Sequence, residues 1–188
     1  MSYYDTHAEA FISDTLNIDM RSVYAPFLNH FKGHALLDLG CGPGRDLKYF
    51  SSLNLAVTGL EPSTTLADFA RQYVGVDVIE QTVQTLDIDK MFDGVWACAS
   101  LLHVPSNELP RAFVNIAKHV NEGGVIYCSF KYGDFEGTRN GRFFTDRTLQ
   151  SLQTVLPENL SIIENWITKD QRPHRDEQWL NAILTKRL

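Results

Sequence analysis

Three glycines at alternate positions, Gly40, Gly42 and Gly44, follow an acid, Asp38, that nearly closes the apolar run 36–39. Glycine tolerates positive φ and lets a ligand lie against the backbone. The unbonded N–H groups of a helix starting there would face that ligand. A second apolar run, 55–60, leads into Glu61. A carboxylate at a strand tip can take two charge-assisted hydrogen bonds from the neighbouring hydroxyls of a ribose. Strand, glycine turn, helix, second strand and terminal acid together are what a nucleotide-binding α/β unit requires.

The dinucleotide fingerprint G-x-G-x-x-G would need glycine at 45, where Arg45 stands, and no Lys-Ser/Thr follows to make a P-loop. Asp38 followed by G-x-G-x-G resembles motif I of the class I S-adenosylmethionine (SAM)-dependent methyltransferases. Residues 92–105, FDGVWACASLLHVP, resemble the fourth motif of the same family. The resemblance runs from Leu36 onward. Within the family, Tyr3-Tyr4-Asp5 and Gly44-Arg45-Asp46 are similar to the small-molecule branch that includes the tellurite-resistance-type enzymes.

The resemblance implies SAM as cofactor, S-adenosylhomocysteine (SAH) as product and a site map. Asp38 orients the methionine end, and the carbonyl near Gly40 accepts from its ammonium group. Cys41, Gly42 and Gly44 complete the turn beneath the ligand. Glu61 holds the ribose with Pro62 beside it, and the backbone at Ala99 flanks the methionine. Adenine falls to the segment after the third strand. There Thr82 stands where many relatives carry an acid, leaving the Val83 N–H or Asp87 to serve the ring.

Several of these residues also have a plainer role available. Asp38 can satisfy nearby N–H groups, and Glu61 can cap the following helix. His103 can take a proton from the acceptor, its ordinary pKa being near neutrality, or it can merely cap a helix or cover the cofactor. Methyl transfer asks for little more, because in-line positioning alone can supply about 7–11 kcal/mol of the barrier. Acceptor recognition is expected from Arg139 and Arg142 in the 131–144 loop and from Arg172 and Arg175 in the 171–175 turn. Guanidinium forks match carboxylate or phosphate, and the alternative is solvated loops. Tyr3 and Tyr4 are expected over the site as a lid, toward acceptor and cofactor respectively, with Arg21 neutralising the cofactor carboxylate.

The elements that must carry these residues follow from periodicity. Residues 1–34 form a helical leading segment whose Val23, Tyr24, Phe27, Leu28 and Phe31 make one apolar stripe. Strands are expected at 35–39, 55–60, 76–79, 92–98, 125–130, 160–168 and 179–186. Helices are expected over 44–52, after Pro62-Ser63, from 106 or 107 to Gly123-Gly124, and from a Thr145 cap to Pro157. Strands alternating with helices predict an α/β fold. It is a doubly wound, mostly parallel seven-stranded sheet with a C-terminal antiparallel hairpin and helices on both faces, a single domain over 1–188.

At 188 residues, 44% hydrophobic and 21% charged, the composition is that of a globular domain able to bury a core. The net charge of -6 argues against nucleic acid as a partner. No apolar run approaches membrane-spanning length and no signal peptide is read in 1–34. Cys41, Cys98 and Cys128 lack metal-like spacing and read as buried reduced thiols of a cytoplasmic protein. The expected function is methyl transfer from SAM to a small, anionic acceptor. An RNA- or protein-modifying methyltransferase and a non-catalytic SAM- or SAH-binding module are the alternatives.

Overall fold

A computed structural model describes residues 3–172 and 175–187. Two short helices, α1 (Tyr3–Thr6) and α2 (Ala8–Thr15), precede α3 (Arg21–His30). Then come β1 (Ala35–Leu39), α4 (Arg45–Ser52), β2 (Ala56–Leu60), α5 (Thr64–Val74) and β3 (Val78–Ile79). They are followed by β4 (Phe92–Ala97), α6 (Leu109–Lys118) and β5 (Val120–Lys131). A hairpin of β6 (Glu136–Arg139) and β7 (Arg142–Thr145), the helix α7 (Leu149–Gln153), β8 (Leu160–Lys169) and β9 (Gln178–Lys186) complete the fold.

The main sheet has seven strands in the order β3-β2-β1-β4-β5-β9-β8, parallel from β3 to β5 and antiparallel through β9 and β8. The doubly wound sheet expected from the sequence is therefore present. Alternate residues of β1 feed opposite faces, as the twofold period of a strand demands. Leu37 and Leu39 join Leu109, Phe113 and Ile116 of α6 in one core, whereas Leu36 joins Val23, Tyr24 and Phe27 of α3 in the other. Strand order reverses between β1 and β4, and ligands in such sheets bind outside the carboxyl ends at that point. Among the described residues, no helix is long and apolar enough to cross a membrane.

Four boundaries differ from expectation. Residues 136–145 are a β-hairpin rather than loop, turning through Asn140 (φ 49°) and Gly141 (φ 77°), the positive-φ pair of a type I′ turn. Thr145 therefore lies in β7, and α7 is capped by Thr148, whose side chain accepts from the Ser151 N–H. α6 stops at Lys118 instead of running to Gly123-Gly124, because Val120 is already drawn into pairing opposite Phe92. The third strand contracts to two residues, as only Val78 and Ile79 reach β2.

Candidate active site

The glycine turn is stitched to the neighbouring strand by the Leu60 carbonyl, which accepts from Gly40 N–H at 2.7 Å and Cys41 N–H at 3.0 Å. Gly40 (φ 73°) leaves no room for a side chain, since a Cβ there would lie 2.4 Å from Ser100 Cβ. At Gly42 (φ 54°) a Cβ would meet the Phe11 ring at 3.2 Å, so α2 lies directly over the turn. Glu61 is buried, and its carboxylate accepts from Gly42 N–H at 2.9 Å and Ser63 N–H at 2.8 Å. Burial pushes this carboxyl up. It ties the turn to the tip of β2, and each oxygen keeps a lone pair for a ligand. The cap of α5 is Ser63, not Glu61.

Two cavities open beside this turn. The larger, about 260 Å³, is lined by Glu61, Pro62, Thr82 and Val83. The smaller, about 170 Å³, is lined by Cys41, Cys98, Ser129, Arg142, Phe144 and Trp179, among others. Tyr4, Phe11, Gly40, Gly42, Ala99 and His103 form walls common to both. Ala99 is held at φ 52°, a left-handed conformation costing a non-glycine residue about 1–2 kcal/mol, with its N–H on Ser129 Oγ at 2.8 Å. Such strain is kept where the backbone must face a ligand. Asp38 is buried, and among the described residues its Oδ2 has no hydrogen-bond partner. Burial first, and then the negative Asp46, push the Asp38 carboxyl up.

Residues 36–124 match the family described as a methyltransferase domain. That stretch is just under half of the chain, and the seven-stranded sheet around it has the fold of class I methyltransferases. SAM is the cofactor that this match implies. The ubiquinone biosynthesis O-methyltransferase of Rickettsia akari is 23% identical over 115 residues, 58% of this chain and 45% of that protein. The chain thus spans less than half the length of this relative. The 1,6-didemethyltoxoflavin-N1-methyltransferase of Burkholderia thailandensis, solved with its substrate and SAH, superposes with a TM-score of 0.76 at 19% identity, covering 98% of this chain and 84% of that one. TehB of Haemophilus influenzae gives 0.72 at 17%, covering 96% and 67%. At these identities the two structures bear on the fold alone.

The donor set around the glycine turn fits SAM. Glu61 lies on the larger cavity with acceptor capacity to spare, Gly40 and Gly42 admit a ligand against the backbone, and Asp38 offers an unpartnered oxygen behind them. Replacing Glu61 with Gln should weaken SAH binding by about ten- to a hundredfold, the worth of a charge-assisted bond. Calorimetry checks this; an unchanged affinity in a folded variant would leave Glu61 only its backbone contacts.

The sequence-derived residues separate on inspection. Tyr4, Gly40, Cys41, Gly42 and Ala99 line the smaller cavity or both, while Asp38 lines neither directly. Gly44 (φ 90°) starts α4 and packs on Ala70 and Val74, so its lack of a side chain serves helix packing and not the cavities. Arg21 is a correction: it is exposed and forked onto Asp19 at 2.6–3.1 Å, and it lines neither cavity. Arg139 is a second, since it lines neither cavity, pairing with Asp146 at 2.8 Å and lying over the Phe135 ring. Tyr3 lines neither and stacks on His7 at 4.2 Å. Arg142, Arg172 and Arg175 do line the smaller cavity.

His103 is the hub of the common wall. Its Nδ1 is 2.7 Å from the Phe143 carbonyl of β7, which can only accept, so Nδ1 carries the proton. Nε2 is then the acceptor for the Tyr4 hydroxyl at 2.7 Å. Burial lowers the His103 pKa and raises that of Tyr4. Spacing along the chain signals none of this, because Tyr4 and His103 are 99 positions apart. Sequence reasoning also missed Arg45 as a lining residue. It is forked onto buried Asp46 at 2.6 and 2.9 Å, which accepts as well from Tyr24 at 2.6 Å and Trp96 at 2.8 Å.

Proposed function

We propose that the protein transfers the methyl group of SAM to a small, anionic acceptor bound in the smaller cavity, with His103 receiving the acceptor's proton. The observation that carries this reading is the shared wall. One cavity ends at a carboxylate suited to ribose, the other is lined by cationic and aromatic side chains, and His103 stands between them. Similar proteins whose names specify ubiquinone biosynthesis and toxoflavin chemistry support a small acceptor.

Bound against the glycine turn, SAM supplies an electrophilic methyl group on a cationic sulfur. Glu61 would accept from the ribose hydroxyls, and Asp38, ionised beside that cation, would compensate the positive charge of the methionine end, directly or through water. The α1–α2 segment, with Tyr4 and Phe11 on the common wall, excludes water and so strengthens every charge interaction beneath it. For an O–H or N–H acceptor, the lone pair on His103 Nε2 is the base. Tyr4 releases it when the acceptor arrives, and the Phe143 carbonyl keeps the ring in the correct tautomer.

The cofactor part is tested by thermal unfolding. A ligand that binds only the folded state, at a hundred times its dissociation constant, adds about 2.7 kcal/mol. SAH should raise the melting temperature and NADH should not, since Arg45 stands where a dinucleotide loop has its third glycine. The opposite pattern would sink the proposal. The acceptor class is tested by transfer of labelled methyl from SAM into extract fractionated into small molecules, RNA and protein.

A further inference from the structure

Arg45, Lys131, Arg142, Lys169, Arg172 and Arg175 bring positive charge to the smaller cavity. Most of that charge is already answered. Arg45 is forked on Asp46, Arg172 on Asp170 at 2.5–2.9 Å, and Lys131 lies 3.0 Å and Arg175 3.7 Å from Glu177. Lys169 is exposed at the rim. Arg142 differs from all of these. It is half-buried, and among the described residues no carboxylate lies within ion-pair distance of it. Its Nε is shut off from solvent and has no hydrogen-bond partner among the described residues. Its polar neighbour is the Tyr4 hydroxyl, and its other surroundings are aromatic: the guanidinium carbon is 5.3 Å from the Tyr3 ring centroid and 5.1 Å from that of Phe144.

We propose that Arg142 receives the acidic group of the acceptor, and that the acceptor is a planar organic acid, an aryl or enolic carboxylate, with its nucleophilic atom turned toward His103. This inference rests on the methyltransferase reading and names the substrate class of the same cavity. A buried N–H without an acceptor is costly, and a carboxylate answers it while pairing with the charge. The Nε and Nη of one guanidinium form a planar fork that fits the two oxygens of a carboxylate. A flat, ring-bearing body suits the walls: Phe144 and Trp179 both line the cavity, and Asp170 fixes the Trp179 ring by accepting from its Nε1 at 3.1 Å. Phe144 also touches the catalytic end, its centroid lying 5.0 Å from that of His103. An acid anchored on Arg142 and lying along Phe144 is thereby led to the Nε2 of His103.

The test uses the full chain saturated with SAH, titrated calorimetrically with benzoate, salicylate, benzyl alcohol and inorganic phosphate. The aryl carboxylates should bind at least about tenfold more tightly than the uncharged alcohol or phosphate. Arg142→Gln should lose about ten- to a hundredfold in carboxylate affinity while keeping the parent's SAH affinity, and Arg142→Lys should fall between because it restores charge without the fork. Arg139→Gln, whose partner is Asp146, should change neither. Loss of SAH binding in Arg142→Gln would assign the residue to the cofactor's carboxylate and overturn the proposal. So would undiminished carboxylate binding in that variant, or phosphate binding as tightly as benzoate. A parent that binds SAH but no aryl carboxylate refutes this inference alone, whereas a parent that does not bind SAH refutes the methyltransferase reading as well.

Discussion

Asp46→Ala should cost about 3–5 kcal/mol of stability, the toll of breaking a buried ion pair by removing one partner. Asp46 is 5% exposed, and four donors converge on it: Arg45 Nε and Nη2, the Tyr24 hydroxyl and Trp96 Nε1. Alanine would strand the Arg45 charge and leave the Tyr24 and Trp96 donors facing apolar neighbours. Because Tyr24 belongs to α3, Trp96 to β4 and Arg45 to α4, the loss should loosen three elements together. Burial alone would push the Asp46 carboxyl up, but Arg45, Tyr24 and Trp96 hold it below the ordinary value of 3.8. The sign follows: stability from this group is complete above 3.8 and is lost as pH falls through the lower, folded value. Asp38 works the other way, its raised pKa making the folded state bind the extra proton. Urea unfolding of the parent and the variant measures the difference. A loss below about 1 kcal/mol, the worth of an exposed pair, would show that the cluster is not the structural hub described above.

His103→Ala should lower kcat by about a hundredfold to ten-thousandfold once an acceptor is known, the usual contribution of a positioned general base. SAH affinity should fall far less than kcat, because the ring's hydrogen bonds go to Tyr4 and Phe143 and not to the glycine turn. Rate alone does not separate a base from a strut, since the same ring fastens α1 to β7. The pH profile does. A base must be neutral to act, and burial holds this imidazole below 6.5. In the parent, the acid limb of kcat/KM should therefore fall at lower pH than an ordinary imidazole would give. The alanine variant should lack that decline. A variant that is slow yet keeps the parental acid limb would make His103 a fastening alone.

The parts legible in the sequence were those encoded by local spacing. Gly40, Gly42 and Asp38 announce the turn within a few residues, and alternation in 36–39 and 92–98 sets which side chains face which core. The β6–β7 hairpin was equally local, for Asn140-Gly141 is a strong turn signal. It was obscured because Arg139, Arg142, Phe143 and Phe144 around it mix charge with aromatics instead of alternating. Whether an arginine is available to a ligand was not legible, because that depends on the nearest carboxylate in space. Asp19 occupies Arg21 and Asp146 occupies Arg139, whereas among the described residues no carboxylate reaches Arg142. The Tyr4–His103 bond was hidden for the same reason: the fold, and not the spacing, brings the two together.

The helices that carry Tyr4 and Phe11 have four and eight residues, too few to persist unsupported in water. They are held by what they touch: Tyr4 on His103, Asp5 on Ser63 Oγ at 2.6 Å, Phe11 on Gly42 and the Thr15 carbonyl near Arg45. One such strap forms part of the wall of both cavities, so on the proposed function it is a door that donor and acceptor would share. Traffic through it would then set the tempo: arrival, departure and residence time would become properties of the strap as much as of the bonds at Glu61. A spent cofactor that keeps the door shut would throttle turnover by delaying exchange, with the chemistry beneath it unchanged.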